Sequence, residues 1–329
     1  VQGLARELGP GAKFPKVADL CRDWQVSPTT LNRVLTDLEG DGWIRRKHAV
    51  GVFVADDVPL THLLSSVALI CRPSFFQGSG HSPFWELLIQ ASQESAQRHG
   101  LECDLYFSRE PEEARVKPLP EGLSLAFENH KIGAVIGIGL DDVAAMWLME
   151  RGVPVVNVFG KGHVIIGFDD ELAMSLSVRS ALERGCHNLA LCVDLPPQAS
   201  VCDKAILMER WPQLCRQELH DRNFLGDFRV EIADFQKYPH CTDQGFDIAT
   251  KLFSDKKSSW PDAVISVNDM FTHGMLSALR KMGIEVGREV QIITHSNANS
   301  PILHGESELV RIEYDRTEIV RAIWRELEN

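Results

Sequence analysis

Two hydrophobic rhythms divide this chain. Over residues 13–54 apolar positions recur at helical spacing: Val17, Leu20, Cys21 and Trp24 in KVADLCRDW, then Leu31, Val34, Leu35 and Leu38 in PTTLNRVLTDLEGDG. Between the two runs lies a short break at Gln25-Val26. Ser27 then suits an N-cap, and Pro28 suits the first helical position, where a missing N–H costs nothing. The second run ends near Gly40 or Gly42; WIRRK, a turn at HAVG, and VFVA then read as two short strands with a basic entry. Thr29, Thr30, Asn32 and Arg33 fall largely off the apolar stripe of the second helix.

From residue 67 the rhythm changes to apolar runs of strand length alternating with helical segments. Strands are predicted at 67–71, 101–107, 133–139, 153–159, 188–193, 228–233, 262–267 and 289–295. Helices are predicted at 84–99, 142–151, 170–185, 203–221, 243–253 and 270–282. Continuous runs such as VALIC and NLALCV suit strands buried on both faces of a parallel sheet. The βα alternation predicts an α/β fold with doubly wound sheets, and a break near 195–202 favours two lobes over one sheet. The domains expected are 1–55, a linker at 56–66 (DDVPLTHLLSS), and 67–329. Lobe 1 is about 67–187 plus the C-terminal helix, and lobe 2 about 188–312.

Composition narrows the class. With 329 residues, 44% hydrophobic and 24% charged, the chain has ordinary globular composition and room for more than one core. No apolar run approaches the roughly 18–20 residues that span a bilayer, so no membrane association is expected. The opening VQGLARELGPG lacks a basic-then-apolar leader pattern, and the eight cysteines are scattered without a CxxC pair. Reduced thiols and a cytoplasmic setting follow as expectations. The net charge of −12 is unevenly spread: residues 1–55 carry 8 Lys+Arg against 6 Asp+Glu, the remainder 26 against 40. Local cations matter at a phosphate backbone, so the acidic body is compatible with DNA binding.

The N-terminal unit carries the most specific chemistry. A helix, a tight turn and a second helix with short polar residues outward is the geometry that lays a recognition helix in the major groove. Candidate DNA contacts are Lys16, Ser27, Thr29, Thr30, Asn32, Arg33, Arg45, Arg46 and Lys47, the last three at the entry to the strand pair. A plain helical bundle with a solvated polar face competes with this reading. Enzyme signals are poor. GIGLDD places Asp142 where a dinucleotide fingerprint needs its third glycine, and Gly160-Lys161-Gly162 lacks the rest of a P-loop. There is no G-x-S-x-G and no H-E-x-x-H, and His240-Cys241 is one adjacent pair. No enzymatic activity, cofactor or metal is expected.

The stretch GAKFPKVADLCRDWQVSPTTLNRVLTDLEGDGWIRRKHAVGVFV resembles the GntR-type winged helix. Phe14-Pro15, Val26-Ser27, Thr30-Leu31, Leu35, Leu38, Gly42, Ile44, Gly51 and Phe53-Val54 fit that pattern. Lys16 stands where the family has Ser, Pro28 where it often has a DNA-contacting Arg, and Ala49 where the first wing glycine would be. Past residue 66 the chain is similar to the effector domain of LacI/GalR repressors. The motifs are SPFWELLIQASQESAQRHG, GAVIGIG, RGVPVVNVFG, VIIGFDDELAMSLSVRSALERGCHNLALCV and AVISVNDMFTHGMLSALRKMGIEVGREVQIITHSN.

These resemblances imply a winged helix-turn-helix followed by two lobes of the periplasmic-binding-protein-like type I kind. They imply a dimeric regulator of transcription that binds double-stranded operator DNA. A small-molecule effector in the interlobe cleft, such as a sugar, would change the hinge angle and operator affinity. Carried over by position, the effector contacts are Ser82, Phe84, Trp85, Asp169, Asn268, Ser296 and Asn297. Core packing competes for Phe84 and Trp85, and helix capping for Asp169 and Asp269. The family's acidic residue after strand 289–295 is absent from HSNAN, and its Arg near 203–211 has no counterpart in CDKAILMERW. The implied sugar contacts are therefore incomplete. A second reading keeps the α/β part as a sensor or enzyme and gives the helix-turn-helix to protein contacts. The linker is acidic and holds Pro59, so DNA contacts outside the recognition helix fall to the wing.

Overall fold

A computed structural model describes residues 1–48, 50–56, 66–76, 82–108, 118–119, 121–128, 132–160, 164–194, 206–234 and 236–328. Residues 57–65 of the expected linker, Ala49 and the expected break at 195–202 lie outside these residues.

The N-terminal segment contains helices α1 (Gln2–Leu8), α2 (Val17–Asp23) and α3 (Pro28–Gly40), followed by strands β1 (Ile44–Lys47) and β2 (Gly51–Val54). Helix α3 starts where the sequence dictates: Ser27 Oγ accepts the Thr30 N–H at 3.0 Å and Pro28 occupies the first turn. Leu31, Leu35 and Leu38 are buried in a core shared with Ala5, Phe14, Leu20, Trp43, Ile44, Val52 and Val54. Two expected stripe members lie outside it: Trp24 is 39% and Val34 37% exposed. Three leucines already fill the face of α3 that meets the core, so Val34 at its margin stays wet. β1 and β2 pair antiparallel from Ile44↔Val54 to Lys47↔Gly51. The Phe14 N–H donates to the Val52 carbonyl and the Val54 N–H to the Ala12 carbonyl, both at 2.9 Å. Residues 12–14 thus flank β2 on its other side.

The remainder builds two five-stranded parallel sheets. The first has the order β4 (Glu102–Phe107), β3 (Ser66–Cys71), β5 (Ala134–Leu140), β6 (Val155–Gly160), β7 (Val164–Ile166). The second has the order β12 (Val310–Tyr314), β11 (Gln291–Asn297), β10 (Ala263–Ser266), β8 (Asn188–Val193), β9 (Asp227–Ile232). All pairings within both sheets are parallel, and the inner strands β3, β5 and β10 are apolar runs buried along their whole length. The connecting helices are α4 (Pro83–Arg98), α5 (Glu121–Glu128), α6 (Asp142–Met149), α7 (Asp170–Glu183), α8 (Trp211–Asp221), α9 (Cys241–Leu252), α10 (Asp269–Met282) and α11 (Arg316–Glu328). A π turn at Ile206–Arg210 leads into α8.

Two compact units result. One comprises Val1–Arg72, Ser92–Ile166 and Ile319–Asn329; the other Pro73–Ala91 and Gly167–Glu318. The expected lobe boundary at 187/188 gives way to one before α7. Met174, Val178 and Ala181 on that helix are buried against Leu189, Leu191, Ile265 and Ile293 of the second sheet. In the second unit α9 and α10 pack backbone to backbone: a Cβ on Gly274 would lie 1.9 Å from the Thr242 carbonyl oxygen.

The first glycine of GIGLDD has a packing role. Asn157 is fully buried, with its amide group bonded to the Leu140 backbone at 3.2 and 3.3 Å. A Cβ on Gly137 would meet Asn157 Oδ1 at 2.6 Å.

Candidate functional sites

The first candidate site is the outer surface of α3 and the strand pair. Thr29, Thr30, Asn32 and Arg33 are exposed, as are Lys16, Ser27, Arg45, Arg46 and Lys47. Their side chains are differently engaged. The Ser27 and Thr30 hydroxyls lie 2.7 Å apart, and Ser27 is already the cap of α3. Arg46 turns back on α3: Nη2 donates to the Asn32 carbonyl at 3.0 Å and to Thr36 Oγ1 at 3.1 Å. Its backbone N–H donates to Glu39 Oε1 at 2.9 Å, and its Nε lies 3.5 Å from Glu39 Oε2. Arg45 pairs with Asp56 at 3.4 Å. Lys47 Nζ lies 4.9 Å from the Phe53 ring centroid, where Lys13 Nζ lies at 5.7 Å. The helix presents short hydroxyl and amide groups with one arginine, the types that read base edges and phosphates. Sequence reasoning missed Lys13, whose signal is its place beside Phe14-Pro15, one strand away from the wing.

The second candidate site lies in the second unit, where all seven expected effector contacts fall. Parallel strands deliver their carboxyl ends to one edge of a sheet, the usual place for a ligand in such folds. Asp194 follows β8, Asn268 and Asp269 follow β10, Ser296 and Asn297 close β11, and Tyr314 closes β12. Asn268 caps α10, with Oδ1 accepting the Phe271 N–H at 2.7 Å. Asp194 is buried and accepts the Cys241 thiol at 3.2 Å. Burial raises the Asp194 pKa, against hydrogen bonds from Cys241 and Asn268. Asp269 is buried too, accepting from Ser300 Oγ at 2.6 Å and Asn297 Nδ2 at 3.4 Å. The Ser296 hydroxyl is buried without a hydrogen-bond partner among the described residues.

Aromatic rings line the same unit. Phe84, at the start of α4, lies 5.9 Å from Phe168, which stacks on Tyr314 at 3.8 Å. Trp85 stacks instead on Phe75 at 4.2 Å and meets Phe84 edge-on at 4.9 Å. Ser82 Oγ accepts the Phe84 N–H at 3.4 Å, at the entry to α4. Asp169 caps α7, accepting the Leu172 N–H at 2.9 Å. The Tyr314 pKa is raised by burial and by the charges of Asp170 and Asp169.

His295 joins these elements. The Ser177 hydroxyl has one proton and gives it to the Ala173 carbonyl at 2.7 Å, so it accepts from His295 Nε2 at 3.0 Å. That assignment leaves Nδ1 to accept from the Tyr314 hydroxyl at 3.4 Å. Burial pulls the His295 pKa down to about 4, so the ring is neutral at pH 7.

The structure therefore brings Phe84 to Phe168, which stacks on Tyr314, and Asn297 to Asp269. Trp85 packs away on Phe75. Phe168, Tyr314, His295 and Asp194 were not expected. Asp194 had a local signal, as the first polar residue after a fully apolar strand. Among the described residues no three His, Cys, Asp or Glu side chains form a group able to hold a metal ion. The described cysteines are free thiols, and no described helix is long and apolar enough to cross a membrane.

Two family models match parts of the chain. Residues 4–54 match the family described as bacterial regulatory proteins, gntR family. Residues 178–328 match the periplasmic binding protein-like domain. The chain thus joins a GntR helix-turn-helix to a periplasmic-binding-protein-like domain. No curated protein matches it. Among solved structures, a LacI family transcriptional regulator CCPA from Weissella paramesenteroides with bound glucose superposes with a TM-score of 0.61 at 16% identity. The match covers 80% of this chain and 91% of that one. A LacI family regulatory protein from Chloroflexus aggregans gives a TM-score of 0.62 at 11% identity, covering 78% and 88%. A LacI family transcriptional regulator from Arthrobacter sp. FB24 in complex with lactose gives 0.59 at 15% identity, covering 80% and 88%. At these identities the likeness establishes the fold of the α/β part.

Proposed function

We propose that the chain is a ligand-responsive regulator of transcription, with residues 1–55 binding double-stranded operator DNA and residues 67–329 binding a small-molecule effector. The observation that carries this reading is the outer face of α3. Thr29, Thr30, Asn32 and Arg33 stand exposed on a helix that is capped by Ser27 and anchored by three buried leucines. A plain bundle needs no such row of short hydrogen-bonding groups beside a basic strand pair. One winged helix offers few base contacts, so the regulator acts as a homodimer on paired half-sites.

The effector is a neutral, polyhydroxylated metabolite held at the carboxyl ends of the second sheet. Asn268, Asn297 and the carboxylates of Asp169, Asp194 and Asp269 suit hydroxyl groups, and Phe84 and Phe168 offer aromatic faces to C–H surfaces. Glucose and lactose in two similarly folded regulators support that class. The protein works in the cytoplasm and performs no enzymatic step.

Two measurements test the proposal. Duplex DNA should bind with an affinity that falls steeply as salt rises. No binding to any duplex at low salt would overturn the reading and assign the helix-turn-helix to protein contacts. In a thermal-shift screen of sugars and related metabolites, a true effector at about 100 times its Kd adds about 2.7 kcal/mol to stability.

A further inference from the structure

The wing strands alternate their side chains between two faces, and that alternation separates the basic residues into two groups. Ile44, Val52 and Val54 turn to the core. Arg46 is opposite Val52 in the β1–β2 register, and from that face it reaches Asn32, Thr36 and Glu39 of α3. Arg45 and Lys47 are on the other face, opposite Phe53 and Gly51. Lys13 bridges to Phe53 from the far side of β2, which puts it in the same outward row. There Lys13 and Lys47 share the Phe53 ring, at 5.7 and 4.9 Å. Gly51 makes this possible: a Cβ there would lie 2.9 Å from Lys13 Cε, in the path of the lysine stem.

Charge balance divides the two groups further. Arg46 faces Glu39 at 3.5 Å and Arg45 faces Asp56 at 3.4 Å. Among the described residues, no ion pair reaches Lys13 or Lys47. Two ammonium groups gathered on one half-buried aromatic ring repel each other, and an anion between them relieves that repulsion.

We propose that Lys13 and Lys47, mounted over Phe53, are the wing's phosphate-contacting pair, and that Arg46 is a positioning residue that clamps the wing to α3 through Glu39, Asn32 and Thr36. This inference rests on the DNA-binding reading above. It adds a contact, Lys13, and withdraws Arg46 from the expected set of direct contacts. The ligand is the phosphodiester backbone, so the pair contributes affinity without sequence preference.

The test uses the full chain and a fluorescent random-sequence duplex of about 30 base pairs, with binding measured by anisotropy from about 50 to about 200 mM salt. Each phosphate contact contributes about 0.9 to the slope of log K against log salt. Lys13→Gln and Lys47→Gln should each lower the slope by about that amount, with the double variant losing about twice as much. Lys13→Arg and Lys47→Arg should keep the wild-type slope. Arg46→Gln and Glu39→Gln should weaken binding with the slope unchanged, and should lower the melting temperature of the N-terminal domain, which the lysine variants leave in place. The inference is overturned if the lysine variants keep the full slope, or if Arg46→Gln lowers it as they do. Wild-type protein that fails to bind the duplex at all overturns the DNA-binding reading itself.

Discussion

The N-terminal domain and the second α/β unit place their candidate contact groups in opposite environments. On α3 and the wing every candidate contact is exposed, and the core beneath them is wholly apolar. At the strand ends of the second unit Asp194, Asp269, His295 and Ser296 are buried, each less than a tenth exposed. The contrast follows from the ligands each region suits. A phosphate backbone is met at the surface, where long cationic side chains keep their hydration until contact. A small metabolite must be surrounded, so the groups suited to hold it are desolvated in advance; burial raises the Asp194 pKa and lowers that of His295, and Asp194, Asp269 and His295 are each hydrogen-bonded to neighbouring side chains. One region can lose a contact and stay folded, whereas the other couples contact to stability.

The strongest challenge to that contrast is a cavity in the buried region. Phe271 is fully buried on α10, in a core with Ile248, Met275 and Leu279. Phe271→Ala should cost about 4 kcal/mol. Calorimetry should show the unfolding transition of the α/β part moving down while that of the N-terminal domain stays. Transitions that fall together would mean one cooperative unit, and the contrast would then not extend to stability.

Next in size is a pH effect. The His295 pKa falls from 6.5 to about 4 on burial. The unfolded chain therefore takes up a proton near pH 6.5 that the folded chain refuses until about pH 4. The contribution of His295 is intact above that window and is lost as pH falls through it, the loss reaching about 3 kcal/mol at the acid end. Burial raises the Asp170 and Asp194 carboxyls, which act in the opposite sense, favouring the folded state as they protonate. They are common to wild type and His295→Gln, so the difference between the two urea-unfolding curves across pH isolates the histidine. A difference that does not change with pH would show that the ring is not held neutral.

How much of this was legible in the sequence follows the same divide. The helix-turn-helix was readable because its logic is local: a cap at Ser27, a proline after it, and leucines at helical spacing. The eight expected strands were visible from the βα alternation, several of them as continuous apolar runs. β12 escaped because VRIEY alternates charged and apolar residues, and β7 because it has three residues. α1 escaped although Leu4, Ala5 and Leu8 recur at helical spacing and pack on the N-terminal core. In the second unit Asn268 and Asp169 could be placed from their strand and helix ends, but not their partners. Ser177 meets His295 across 118 residues, and Phe168 meets Tyr314 by similar long-range closure. Such pairings are set by sheet order, which periodicity does not encode. The clamp of Arg46 on α3 was hidden for a different reason: a basic run reads as one patch, whereas the strand's two-residue period splits it.

The smallest effects give the closest comparison, because each region caps a helix with a short polar side chain. Asn268 accepts the Phe271 N–H at 2.7 Å and also hydrogen-bonds the buried Asp194. Asn268→Ala leaves both groups short of a partner where water is scarce, and should cost about 2 kcal/mol. Ser27 accepts the Thr30 N–H at 3.0 Å at an exposed helix start. In Ser27→Ala water takes over that donor, so the loss should be about 1 kcal/mol. The Thr30 hydroxyl, freed from its 2.7 Å contact with Ser27, should keep DNA affinity within about tenfold. Chemical denaturation of the two variants measures the difference directly. Equal losses would show that the second unit's strand ends are wetter than their burial implies, and would remove the physical basis for treating the two sites as opposites.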